Sequence, residues 1–515
     1  MTGIPDTAVD SDRLSGPLVV MVATLLNPPL DEAVRLNGGF YRHVEFRCAT
    51  TDSDRRTGVT VDELRGTVNG PVLLPGDDGF AEEVAGFNPN NVMEPAVAVG
   101  VTSAADVQAV VRYAARNQLP VAVRATGHQV VKDARDAILI NTSRMQDVRI
   151  DAGNRSARVE AGVDWARTLS ETAKHGLAPL SGSAATVSVI GYTLGGGQGP
   201  VLGRSQGYAA DHVRRIEVVT ADGELRQVTA DSEPDLFWAL LGGKGNFGVV
   251  TSIEFDLFPV TEFYGGGLHF AGERMEDVLR VWSAWAPELP EQATTSVAVQ
   301  RLPPLPELPE PLRGAFVLHF RFAYLGSAED GERLLAPIRA VAQPLLDGVR
   351  MLPYADSPLI HLDPPTPVPY YDATTTLREF SPEVLDALVE FAGPASGNPL
   401  SSIEIRALGG AFDREPAVPN AVPTRGVPYV LFSAGMGGPD QAELFRSWLE
   451  RMVQTFEPWS VDERRMVNFL STDEATTPDQ VRLAYGVERY DRLARIKRRF
   501  DPDNMFRVNH NIRPE

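Results

Sequence analysis

His128 is the residue whose surroundings are best suited to chemistry. It closes the run Pro-Val-Ala-Val-Arg-Ala-Thr-Gly-His, in which Gly127 lets the backbone turn sharply and come close to a ligand. An imidazole presented on such a turn can act as a nucleophile, a ligand or a proton carrier near neutral pH. Most lone histidines are surface or satisfied core residues, so this tripeptide needs support from elsewhere in the chain. Two glycine clusters supply a test. Gly243, Gly245 and Gly248 form a literal G-x-G-x-x-G. A dinucleotide-binding turn needs a strand before the glycines and a helix after them. Here a helical pattern (Leu236, Phe237, Ala239, Leu240) comes first and a strand pattern (Val249 to Ile253) follows, so that reading fails. Gly195, Gly196, Gly197, Gln198 and Gly199 lack the following Gly-Lys-Ser/Thr of a P-loop. Both clusters still offer side-chain-free backbone amides, which can line an anion-binding nest. Further on, Glu404 and Arg406 alternate on one face of a predicted strand.

The elements that must position these residues alternate between strand and helix. Residues 96–101 are apolar and β-rich, and Ser103 with Asp106 makes a helix start resembling a capping box. Val107, Val110, Val111 and Ala114 recur at helical spacing, and a strand from Val121 then delivers the chain to His128. Short strands are expected around Ile138, Val148 and Val159. A helix over 165–175 stops at Gly176.

These segments, together with 177–213, 218–225, 235–255 and the closing 496–512, resemble the berberine-bridge-enzyme-like branch of the vanillyl-alcohol-oxidase (PCMH-type) flavoproteins. The resemblance runs from about Pro71 to Pro514. It implies an α+β fold: a two-subdomain FAD-binding domain, and a substrate domain whose antiparallel sheet is flanked by helices. It also implies covalent attachment of FAD to His128. The cofactor would be held by Arg124, Ala125, Thr126, Gly127 and Gln129, by Gly182, Ser183, Ala184, Val187, Gly191, Tyr192, Gly195, Gly196 and Gly197, by Gly248, Val249 and Val250, and by Asn509 and Asn511.

Carried over residue by residue, the resemblance also has gaps. The cysteine that gives many relatives a second flavin bond falls on Ala184, which implies one covalent bond and a milder oxidant. Val187 stands at the family's oxygen-gating position, where a small residue favours an oxidase; it also fits a simple β-branched core role. Tyr192 replaces a histidine common near the flavin ring, and either hydrogen-bonds there or packs. The family's glutamate base falls on Ala417, and two active-site tyrosines fall on Phe469 and Met466. Glu404, Arg406, Glu415, Tyr370 and Tyr371 are the substitutes on offer, the tyrosines on a proline-rich loop. A buried acid with a raised pKa would serve as base, although a structural ion pair is the favoured reading of Glu404 with Arg406.

The expected organisation is an N-terminal extension over 1–70, the FAD-binding domain over 71–262, the substrate domain over 263–462, and a C-terminal segment over 463–515. That last segment carries a helix with Leu493, Ile496 and Phe500 on one face, ended by Asp501-Pro502. It is expected to return to the first domain. The chain has 515 residues, 43% of them hydrophobic, and a formal charge of -20, which disfavours nucleic acid or an anionic membrane as partner. Cys48 is the only cysteine, so neither a disulfide nor a cysteine-based metal site is expected, and no metal is. Residues 17–26 are apolar but short and follow acidic residues, unlike a signal peptide or a membrane span. A cytoplasmic oxidase that takes a small-molecule substrate (alcohol, sugar, amine or specialised metabolite) and O2 and gives H2O2 is the expectation. The alternatives are a flavin monooxygenase and a non-catalytic flavin-binding protein.

Overall fold

The structure is a computed structural model and describes residues 61–129 and 134–515. The apolar run 17–26 and Cys48 lie outside the described residues. Among those residues the strands form three sheets.

The first sheet contains β1 (Val72–Leu73), β2 (Val97–Gly100), β3 (Val121–Arg124) and β4 (Ile138–Asn141), in the order β1-β2-β4-β3. β4 pairs in parallel with both β2 and β3. The β2-to-β3 crossover is the helix Ala104–Asn117, and Ser103 caps it by accepting the Asp106 amide at 3.2 Å. Val107, Val110, Val111 and Ala114 are fully buried, as their spacing predicts. The loop carrying His128 therefore leaves the end of a parallel strand.

The second sheet is antiparallel, with order β5-β6-β9-β7-β8. Its strands are β5 (Val148–Asp151), β6 (Ser156–Glu160), β7 (Val213–Val219), β8 (Leu225–Val228) and β9 (Val249–Asp256). The helix after β6 spans Trp165–Ala173, and Gly176 (φ +66°) reverses the chain just beyond it. Helix Pro234–Gly243 precedes the glycine cluster and β9 follows it, the order that excludes a Rossmann turn.

The third sheet holds β10 (Glu262–Ala271), β11 (Ala293–Arg301), β12 (Phe316–Tyr324), β13 (Leu346–Asp347), β14 (Arg350–Pro353), β15 (Tyr370–Leu377), β16 (Ser402–Ala407) and β17 (Tyr429–Met436). Its order is β13-β10-β12-β11-β16-β17-β15, with β14 also on β10. Tyr370 and Tyr371 open strand β15 and are not on a loop. Pro367 and Pro369 end the irregular stretch, and the β-branched and aromatic run after them pairs with β17.

One face of this sheet is apolar. Leu268, Phe320, Val297, Ile403, Ile405 and Leu431 pack there against helices Met275–Trp285, Pro382–Ala392 and Ala442–Phe456 in one core. The opposite face is polar. Pairing register aligns His269, His319, Ala298, Glu404, Phe432 and Thr374 in one cross-strand row. It aligns Gly267, Arg321, Ser296, Arg406, Val430 and Thr376 in the next. Period-two alternation separates the two faces.

A second core joins sheets one and two to the C-terminal segment. Leu493, Ile496 and Phe500 on helix Val487–Phe500 pack there with Leu240, Phe247 and Val249. Lys497 and Asp501, both fully buried, pair at 2.6 Å. Lys497 also donates to the Asn246 carbonyl at 2.6 Å, which pins this helix to the glycine cluster. Among the described residues no helix is long and apolar enough to cross a membrane.

Candidate functional site

The loop after β3 is built to hold His128 still. Gly127 sits at φ +74°, and a Cβ there would lie 2.6 Å from Gly86 Cα, so only glycine fits. The His128 ring stacks on Phe87 with centroids 3.9 Å apart. Its Nδ1 is 3.0 Å from Thr126 Oγ1 and its Nε2 is 3.1 Å from Thr186 Oγ1. Burial lowers its pKa to about 4 against an opposing pull from Asp363, so the ring is neutral at pH 7. A neutral imidazole keeps the lone pair that a nucleophile needs.

The segment 182–187 comes alongside this loop. The Ser188 amide donates to Thr126 Oγ1 at 3.1 Å, and Ser188 opens the helix Val189–Leu194. Gly191 and Tyr192 lie within that helix. Gly195, Gly196 and Gly197 end it, the last two at φ +107° and +78°. The Tyr192 ring lies under Gly182 and Gly197 and meets Trp165 edge-on at 5.3 Å. Its buried hydroxyl has no partner, and burial raises its pKa well above the usual value. Packing is thus established for Tyr192, and its hydroxyl is left over for a ligand.

Gln129 connects the loop to the C-terminal segment by donating to the Val467 carbonyl at 3.0 Å. It also accepts from Lys244. Burial alone lowers the Lys244 pKa to about 7. Lys244 is held at φ +53°, an uncommon backbone state for a side-chain-bearing residue. Asn509 donates to the Gly245 carbonyl at 3.3 Å. Val249 and Val250 are core residues of β9, so they can offer a ligand only backbone. Arg124 Nη1 donates to the Glu83 carbonyl at 2.8 Å.

A flavin dinucleotide suits this set. Arg124 Nε, Tyr192 Oη, Asn468 Oδ1, Asn509 Oδ1 and Asn511 Oδ1 are buried and unpaired, and buried polar atoms otherwise find partners. The glycine turn beside them is closely packed, and a Cβ at Gly195 would meet Asn468 Oδ1, one of these unpaired atoms.

The polar sheet face forms the opposing wall. Glu404 is gripped by Arg321 Nη1 at 2.6 Å and by Arg406 Nε at 3.0 Å, and it accepts from Ser296 at 3.0 Å. Arg406 also donates to Gln198, the residue directly after the glycine turn, at 3.0 Å. Burial pushes the Glu404 carboxyl up, yet Arg406, Arg321 and His361 together hold it well below the carboxylate range. The raised pKa that a base needs is therefore not found at Glu404. Glu415 is 83% exposed at its side chain and lies outside the cleft.

Raised acids occur elsewhere, at positions that sequence reasoning passed over. Asp372 is two residues beyond Tyr370 on the same face of β15, and the Tyr370 hydroxyl donates to the His128 carbonyl at 3.1 Å. Burial, then Glu474 and Asp473, raise the Asp372 pKa well above normal. Glu474 accepts from the Thr374 amide at 3.2 Å, and burial lifts its pKa to about 7. No single-sequence signal marks this pair, since strand β15 and the C-terminal segment meet only in three dimensions.

Known proteins agree with this architecture. Residues 95–229 match the FAD binding domain family, and 466–513 match the berberine and berberine-like family. An FAD-linked oxidoreductase from Bacillus subtilis is 28% identical over 87% of this chain and 98% of its own length. The (R)-6-hydroxynicotine oxidase of Paenarthrobacter nicotinovorans is also 28% identical, over 87% of this chain and 98% of its own. Among solved structures, 6-hydroxy-D-nicotine oxidase from Arthrobacter nicotinovorans is 25% identical, with a TM-score of 0.74 over 87% of this chain and 99% of that one.

Proposed function

Since this chain belongs to the berberine-bridge-enzyme-like FAD-linked oxidoreductases, we propose that it is an oxidase carrying FAD on His128 alone. The observation that carries this reading is the neutral, immobilised His128 ring set among glycines and unpaired buried polar atoms. Ala184 at the second attachment position supports a single bond.

The chemistry FAD supplies when bound is two-electron oxidation of a small organic substrate, with the electrons passed to O2 as H2O2. The chain's own residues bind and orient the substrate and accept its proton. The polar sheet face is the substrate wall, and Arg406, fixed between Glu404 and Gln198, sets its position. Asp372 is the proton acceptor in this reading. It lies two residues past Tyr370 on the same face of β15, and among the described residues no cation pairs with it. Burial, then its neighbours Glu474 and Asp473, raise its proton affinity, the direction a general base needs.

Acid precipitation of the purified protein tests the attachment. The yellow colour should stay in the pellet for the wild type and pass to the supernatant for His128→Ala. Colour released by the wild type would refute the histidyl bond. Oxygen uptake with candidate alcohols, sugars and amines then tests the oxidase reading.

A further inference from the structure

The polar wall has an unbalanced charge. Arg321 and Arg406, 4% and 7% exposed at their side chains, face one carboxylate, Glu404. The three nearby histidines do not alter that sum. Burial lowers His269 and His361 to about 4 and holds His319 well below its usual value, so all are neutral at pH 7. Among the described residues, the salt bridges of Arg321 and Arg406 both end on Glu404. Two buried guanidiniums therefore share one carboxylate among the described residues, and Arg321 Nε also donates to His319 Nδ1 at 3.2 Å. A cation taken out of water is destabilising unless an anion meets it.

The two guanidiniums border a narrow hollow, lined with them by Gln198, Thr294, Ser296 and His361. His361 approaches Glu404 at 3.4 Å, but neither of its ring nitrogens makes a well-aligned hydrogen bond. A neutral imidazole has one N–H to give. Gln198 and Pro200, just past the glycine turn, line it opposite residues of the third sheet. Guanidinium groups suit planar oxyanions, since their N–H groups match both carboxylate oxygens.

We propose that this hollow binds a carboxylate of the substrate, with Arg321 and Arg406 as counter-charges and His361 as an added donor. The substrate class is then an organic acid, oriented by its carboxylate while another part of it meets the cofactor. This rests on reading the polar sheet face as the substrate wall.

The test is calorimetric titration of the purified flavoprotein with benzoate and with benzamide, which share a ring and differ in charge. Benzoate should bind at least about tenfold more tightly. Arg321→Gln should abolish that preference, and Arg321→Lys should keep most of it. Equal affinities, no binding of either probe, or a preference that survives both Arg321→Gln and Arg406→Gln would overturn the proposal. The wild-type comparison stands even if a variant fails to fold. Heat is read whether or not flavin is present. Colourless protein that still prefers benzoate would sink the cofactor reading alone, and yellow protein without the preference would sink this one alone.

Discussion

At the scale of single residues, environment and not residue type decides which acid can take a proton. Glu404 lies on the right sheet face, but two guanidiniums keep it ionised and weakly basic. Asp372 lies on the same face, and burial first, then its acidic neighbours, make it hold its proton tightly. Like charges at close range push one member of a pair upward. Glu474→Gln removes such a charge, and the Asp372 pKa should fall. The acid limb of kcat/KM, where the base becomes protonated, should then move to lower pH. Asp372→Asn should cost roughly 10²–10⁴ in kcat, whereas Glu404→Gln should act mainly on binding and folding. A pH profile that is unchanged in Glu474→Gln would argue against Asp372 as proton acceptor.

At the scale of elements, the site depends on how the C-terminal helix is fastened. Lys497 and Asp501 are fully buried and paired, and Asp501 also accepts the Met505 and Phe506 amides at 2.7 and 2.9 Å. Lys497→Met strands the Asp501 charge in the core. Breaking a buried pair from one side costs roughly 3–5 kcal/mol. Because Lys497 also holds the Asn246 carbonyl beside the glycine cluster, this variant should unfold at lower urea and retain less flavin. A urea midpoint equal to wild type would contradict that role. The crossover helix to β3 shows the opposite situation. Its cap, its apolar stripe and its position were all readable, because each is set by residues within one turn of each other.

For the whole molecule, two hydrophobic cores meet across a polar layer, and that layer makes stability depend on pH. Glu474 titrates near 4.5 when unfolded and about 7 when folded. The folded state therefore binds more protons between those values, and its stability falls as pH rises from about 4.5 to 7. The loss from this one group is about 3 kcal/mol. Thermal midpoints measured at pH 5 and pH 8 should differ less in Glu474→Gln than in wild type. An equal difference would place the source elsewhere.

The sequence by itself determined the ordered motifs of the FAD-binding half, the strand that presents His128 and the failure of the Rossmann reading. It also showed the alternation that puts Glu404 and Arg406 on one face. These are local patterns, in which period, caps and glycine positions act over a few residues. Only the tertiary structure decided what those side chains face. Arg321 joins Glu404 from two strands away in the sheet, and Glu474 reaches Asp372 across about a hundred positions of chain. Charge balance and desolvation are sums over such long-range neighbours, so the electrostatic character of the site exists only once the chain has folded.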